Sequence, residues 1–147
     1  MKSISPLMLP IILNKLRKRL DKASVGILNE YNLSKLHLLY LMVLFENAEG
    51  MTLKELSEYL DFDKANTSRA ISQLKVKGFA QEKAQGELEL KYKIELTPKG
   101  RDVATIIWEK NRRANMELIR LLTPEEILSL TQIAGKLWRF LCEDEFK

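Results

Sequence analysis

Between Met51 and Gly100 the chain reads MTLKELSEYLDFDKANTSRAISQLKVKGFAQEKAQGELELKYKIELTPKG, and this stretch narrows the fold more than any other. Leu53, Leu56 and Leu60 recur at helical spacing. They follow a capping box in which the Thr52 hydroxyl meets the Glu55 backbone N–H and Glu55 reaches back, with Met51 placed to staple onto Leu56. Asp61-Phe62-Asp63 reads as a turn, and Asp63 as the N-cap of a further helix from Lys64 to Lys77. Beyond Gly78, Phe79 to Lys83 reads as a strand, Ala84-Gln85-Gly86 as a turn and Glu87 to Leu96 as a second strand. In that second strand Leu88, Leu90, Tyr92, Ile94 and Leu96 alternate with Glu89, Lys91, Lys93 and Glu95, the period of a strand with one buried face. Two short helices followed by a β-ribbon make a helix-turn-helix with a wing.

Placing residues 64–77 at 100° intervals separates two faces. Thr67, Ala70, Ile71, Leu74 and Gly78 fall inward. Ala65, Asn66, Arg69, Ser72, Gln73 and Val76 fall outward, with Lys64 and Ser68 at the flank. The segment carries Lys64, Arg69, Lys75 and Lys77 and no acidic residue, an excess equal to the net charge of +4 of the whole chain. A cationic helix with a small, polar outward face in this position points to a double-stranded DNA partner. The pI of 9.1 is only mildly basic and adds little to that reading.

The remainder is helical in pattern. Leu9, Ile12, Leu13, Leu16, Leu20, Ala23 and Ile27 form one stripe of a helix from about Leu9 to Asn29, opposite Lys15, Lys18, Arg19 and Lys22. Ser34 is an N-cap for a second, nearly all-apolar helix to about Asn47. Thr97-Pro98 opens a helix running to about Leu122. Thr123-Pro124-Glu125-Glu126 opens a last one, whose Ile127, Leu130, Ala134, Leu137 and Leu141 keep a coiled-coil rhythm. The expected fold is therefore mainly α with a small β-wing: a winged helix-turn-helix lobe plus a helical dimerisation lobe. The 147 residues read as one such domain, with dimerisation helices at about 6–30 and 98–145 and the winged helix-turn-helix at about 34–97.

Several function classes are disfavoured. One cysteine, Cys142, excludes an internal disulfide or a Cys-cluster metal site, and its neighbours Glu143, Asp144 and Glu145 speak against a redox-sensing thiol. Leu7 to Leu13 is apolar but is interrupted by Pro10 and lacks a cleavage site, so it does not read as a signal peptide. No apolar run approaches membrane-spanning length. A cytoplasmic location, no membrane partner, no metal and no cofactor are expected. With no Gly-rich phosphate loop and no Ser/His or Cys/His pairing, an enzyme is not expected either.

Taken in order, Leu53, Glu55, Leu56, Leu60, the Thr-Ser-Arg-Ala-Ile run at 67–71, Leu74, Gly78-Phe79 and Leu96-Thr97-Pro98-Lys99-Gly100 resemble the MarR family of winged-helix transcriptional regulators, over essentially the whole chain. The resemblance implies a homodimer built from the first, fifth and sixth helices of two chains. Its two recognition helices would enter successive major grooves of a pseudo-palindrome, with half-sites ~34–36 Å apart. It implies a repressor that occupies its operator, relieved where a small-molecule effector binds. By position Asn66, Ser68 and Arg69 approach bases and phosphates, while Lys64, Gln73 and the helix start at Thr52 bind phosphate. The wing departs from the family pattern. Where an arginine motif enters the minor groove, this chain has Leu88, Glu89 and Leu90, and Glu82 replaces a basic residue. Lys83, Lys91 and Lys93 are the substitutes, as phosphate-binding point charges.

His37, the sole histidine, lacks the companions a metal would need and reads first as a structural residue. The alternative is that His37, Tyr40 and Trp108 border an effector pocket. The acidic wing also keeps open a second function, a winged-helix protein-interaction module (antirepressor or adaptor) with weak or no DNA binding.

Overall fold

Ser34 shows how locally the helices are specified. Its hydroxyl accepts the His37 backbone N–H at 3.2 Å, while His37 Nδ1 accepts the Ser34 backbone N–H at 3.1 Å, a capping box closed by a histidine. The computed structural model describes residues 4–84 and 92–143. Helices run α1 Leu9–Glu30, α2 Lys35–Glu46, α3 Leu53–Leu60, α4 Lys64–Val76, α5 Pro98–Ile119 and α6 Pro124–Glu143, with strands β1 Ala80–Glu82 and β2 Ile94–Leu96 between α4 and α5. A single 3-10 turn, Pro6–Met8, precedes α1.

The chain divides into two units, Met1–Asn111 and Arg112–Lys147. The first holds the core. Ile27 and Leu28 of α1, Tyr40, Leu41 and Leu44 of α2, Leu56 of α3, and Ala70, Ile71 and Leu74 of α4 are buried with Phe79, Ile94, Leu96, Val103, Ala104 and Ile107. All four inward positions expected within α4 are buried, which confirms the helical phase read from the sequence. Only the last third of α1 contributes, with Ser24, Ile27 and Leu28; Leu9, Ile12 and Leu13 of the same stripe are exposed. In the second unit α6 buries none of its described residues, and its box at Thr123 and Glu126 closes in both directions.

The wing is anchored at its base. β1 and β2 pair antiparallel in the register Ala80 to Leu96, Gln81 to Glu95 and Glu82 to Ile94. Met51 adds an isolated one-residue bridge: its N–H donates to the Ile94 carbonyl at 3.0 Å and its carbonyl accepts from Ile94 at 2.7 Å. That bridge ties the start of α3 to the ribbon. The second strand expected from Glu87 is seen here only as Ile94–Leu96: Tyr92 and Lys93 lie outside it, and residues 85–91 lie outside the described residues. Tyr92 corrects the alternation pattern. It is 63% exposed and lies beyond the last described backbone bond of the ribbon, Lys83 N–H to the Lys93 carbonyl at 2.9 Å.

Two glycines make the wing joints. Gly78 (φ +81°) closes α4 in a Schellman motif, with Phe79 N–H to Leu74 C=O at 2.9 Å and Gly78 N–H to Lys75 C=O at 3.0 Å. Gly100, in the first turn of α5, lies so close to Phe79 that an added Cβ would sit 1.9 Å from the Phe79 carbonyl oxygen. Thr97 locks that approach. Its N–H bonds the Phe79 carbonyl at 3.0 Å, and its hydroxyl donates to the Gly78 carbonyl at 2.5 Å while accepting the Gly100 N–H.

Candidate nucleic-acid interface

The outward face of α4 is organised from its N-cap. One Asp63 carboxylate oxygen accepts the Asn66 backbone N–H at 2.7 Å and the other accepts the Asn66 amide N–H at 2.8 Å. The Asn66 carbonyl oxygen then accepts a hydrogen bond from Arg69. Spacing of three residues brings these groups into one row along the helix. The cap therefore orients Asn66, and Asn66 orients the guanidinium. Lys64, Ser68, Arg69 and Gln73 are exposed and Asn66 half-buried, while Thr67 points the other way. A planar fork held on a rigid helix is the donor set that matches guanine O6/N7 or a phosphate.

What holds α4 from below is polar as well as apolar. The Tyr40 hydroxyl lies 2.8 Å from Thr67 Oγ1, with both side chains fully buried. His37 Nε2 lies 2.7 Å from Gln73 Oε1. Burial pushes His37 below its ordinary pKa of 6.5, and the nearby Lys77 charge adds to this against the upward pull of the Gln73 hydrogen bond. Of the three residues read as a pocket border, His37 and Tyr40 are thus buried and engaged with α4, and Trp108 is 37% exposed. Sequence spacing could not reveal these α2–α4 pairs, although the Ser34-x-x-His37 spacing did carry the capping box.

The cations divide into two groups. Lys75 is paired with Glu82 of β1 at 2.9 Å, and Lys77 donates to the Asn32 carbonyl. The half-buried Lys83 donates to the Glu49 carbonyl at 2.8 Å, which fastens the wing to the α2–α3 connection. Lys93 is half-buried beside Gly50, and Lys91 lies outside the described residues. Positive charge on α4 is therefore concentrated in its N-terminal half, at Lys64 and Arg69. At the start of α3, Thr52 Oγ1 accepts the Glu55 N–H and the Thr52 N–H is taken by the Glu55 carboxylate. The hydroxyl proton of Thr52 and the backbone N–H groups of the first helical turn are what this end offers to a phosphate.

Among the described residues no group of three or more His, Cys, Asp or Glu side chains could hold a metal. No described helix is long and apolar enough to cross a membrane.

The sequence matches no protein-family model and no curated protein. Solved structures do match. The transcriptional regulator SlyA superposes with a TM-score of 0.77 at 25% identity, over 95% of this chain and 96% of that one. A MarR family transcriptional regulator from Listeria monocytogenes, solved with 26mer DNA, gives 0.78 at 26% identity over 98% and 92%. NadR in complex with 4-hydroxyphenylacetate gives 0.74 over 93% and 97%; at 19% identity this is a likeness of fold alone. Fold and site together define a winged helix-turn-helix protein of the transcriptional-regulator class. Within that class, the solved structures that the chain resembles over nearly its whole length are MarR family transcriptional regulators.

Proposed function

We propose that this chain is a sequence-specific regulator that binds double-stranded DNA as a homodimer on a pseudo-palindromic operator and represses by occupying it. The observation that carries the reading is the Asp63–Asn66–Arg69 row on the exposed face of α4. A solvated helix face needs no such orientation of a guanidinium. The DNA bound to the Listeria relative supports it. Asn66, Ser68 and Arg69 are the base-reading candidates, with Lys64, Gln73 and the Thr52 helix start as phosphate contacts and Lys93 as a flanking one.

Dimerisation is supported by apolar surface that one chain leaves in water. Leu130, Leu137 and Leu141 on the α6 seam are 52%, 47% and 62% exposed, and Leu7, Leu9 and Leu13 at the start of the chain are exposed as well. Contiguous apolar stripes of this kind mark an interface. Residues of about 6–30 and 98–145 form the dimer lobe in this reading, and about 34–97 the DNA-binding lobe. A small-molecule effector that relieves repression belongs to this reading, and NadR, alike in fold, holds a small molecule of this kind, 4-hydroxyphenylacetate. An effector favouring a conformation with misplaced recognition helices would lower operator occupancy.

The Lys75–Glu82 pair and the tethered Lys83 favour a second reading, a protein-interaction module that has lost DNA affinity. Titration onto promoter-length duplex at several salt concentrations separates the two. A DNA-binding dimer gives a steep negative slope of log affinity against log salt. A flat response, or no binding at low salt, rejects the DNA-binding reading.

A further inference from the structure

The hydrogen bonds around His37 form a directed relay. A backbone N–H can only donate, so the Ser34 N–H at 3.1 Å requires His37 Nδ1 to be an unprotonated acceptor. A neutral imidazole then carries its proton on Nε2. The group 2.7 Å from Nε2 must accept, which makes it the Gln73 carbonyl oxygen and settles the orientation of the amide. The imidazole is buried and Gln73 is exposed on the outward face of α4. The oxygen end of the amide therefore faces the fold, and the nitrogen end, with two N–H donors, is what a partner can reach.

We propose that His37 is a positioning residue for DNA reading: it holds the Gln73 amide with its NH2 group outward, as a donor contact for a hydrogen-bond acceptor on the operator. This rests on the DNA-binding reading above. A glutamine free to rotate reads adenine through a paired donor and acceptor. With its oxygen held by His37, Gln73 instead suits a phosphate oxygen or an acceptor edge of guanine or thymine. The imidazole stays out of the groove and acts through the amide.

The test uses an operator duplex recovered by wild-type protein from a random pool. Failure to recover any duplex rejects the DNA-binding reading itself, while the relay is read separately from the imidazole nitrogen resonances of the free protein. Those resonances should report the neutral Nε2–H tautomer; the Nδ1–H tautomer overturns the proposal. A double-mutant cycle then follows. His37→Phe should weaken operator binding by about 2- to 10-fold, the effect of one hydrogen bond, and should cause no further loss in a Gln73→Met background. Equal losses in both backgrounds, or none in the wild type, overturn it, because a purely structural histidine would act independently of Gln73. Repeating the pool selection with Gln73→Met distinguishes the two acceptor sources. Loss of a guanine or thymine preference at one position per half-site identifies a base edge, and uniform weakening identifies a phosphate. A wild-type adenine preference that Gln73→Met abolishes overturns the proposal even if His37→Phe does not fold.

Discussion

Thr67 Oγ1 and the Tyr40 hydroxyl meet 2.8 Å apart with no solvent access to either side chain, so α4 is pinned to α2 by a buried polar contact as well as by its apolar face. Tyr40→Phe leaves the threonine hydroxyl without this partner and should cost about 1–3 kcal/mol in denaturant unfolding. Adding Thr67→Val should recover part of that loss, since removing both polar groups avoids stranding one. A Tyr40→Phe protein as stable as wild type would show that the contact does not hold the helix.

Arg69→Ala should weaken operator binding and relax base preference at one position per half-site, by about 1–3 kcal/mol of discrimination if the guanidinium reads a guanine. Asp63→Ala should lose about 0.5–2 kcal/mol of stability as an N-cap and also disorient Asn66. Competition binding with single-base operator variants reads the first effect, and denaturant unfolding the second. Unchanged affinity and specificity would remove Arg69 from its role.

Glu82 neutralises Lys75 across the joint between α4 and β1. Glu82→Gln should therefore strengthen DNA binding, and steepen the salt dependence by about one unit of slope where Lys75 then reaches a phosphate. Fluorescence anisotropy across a salt series measures both. Weaker binding by the variant would place this edge away from the DNA.

Gly100→Ala should destabilise the fold by about 3 kcal/mol or more. In a helix interior the exchange normally favours alanine by about 1 kcal/mol. Here the new Cβ would meet the Phe79 backbone at 1.9 Å, and backbone cannot rotate away as a side chain can. Thermal melting checks the sign, and a Gly100→Ala chain as stable as wild type would contradict the close approach.

His37 also predicts a pH dependence. Its folded pKa is lowered from 6.5 chiefly by burial, so the unfolded chain takes up the proton first as the pH falls. The stability that comes from keeping His37 neutral is present above pH 6.5 and is lost progressively below it. Wild type should thus lose more stability than His37→Gln between pH 7 and 5, in parallel denaturant titrations. Identical pH profiles would show that the imidazole is not the group responsible.

Much of this architecture was legible in the chain because it is encoded at short range. Thr52 with Glu55, Thr123 with Glu126, Asp63 as a cap, and the inward phase of Thr67, Ala70, Ile71 and Leu74 depend on spacings of three or four residues, which backbone geometry alone turns into contacts. The Leu96 to Gly100 string likewise marked a joint whose glycine requirement the Phe79 carbonyl now explains. The outward position of Asn66 and Arg69 followed from the same periodicity.

Tertiary structure decided how those faces are used. Tyr40 meets Thr67 across 27 positions, His37 meets Gln73 across 36, and Lys83 reaches Glu49 across 34. No periodicity reports such pairs, because they depend on how separate elements cross. The four cations of residues 64–77, read from sequence as marks of one cationic helix, are divided by that crossing. Lys64 and Arg69 lie at the exposed end, while Lys75 and Lys77 are drawn to an acidic and a carbonyl partner. Local spacing determined which residues face outward; the packing of α2, β1 and the loops against α4 determined which of them keep their charge or their donors available, because a hydrogen bond or ion pair already made within the fold must be broken before a partner can use it.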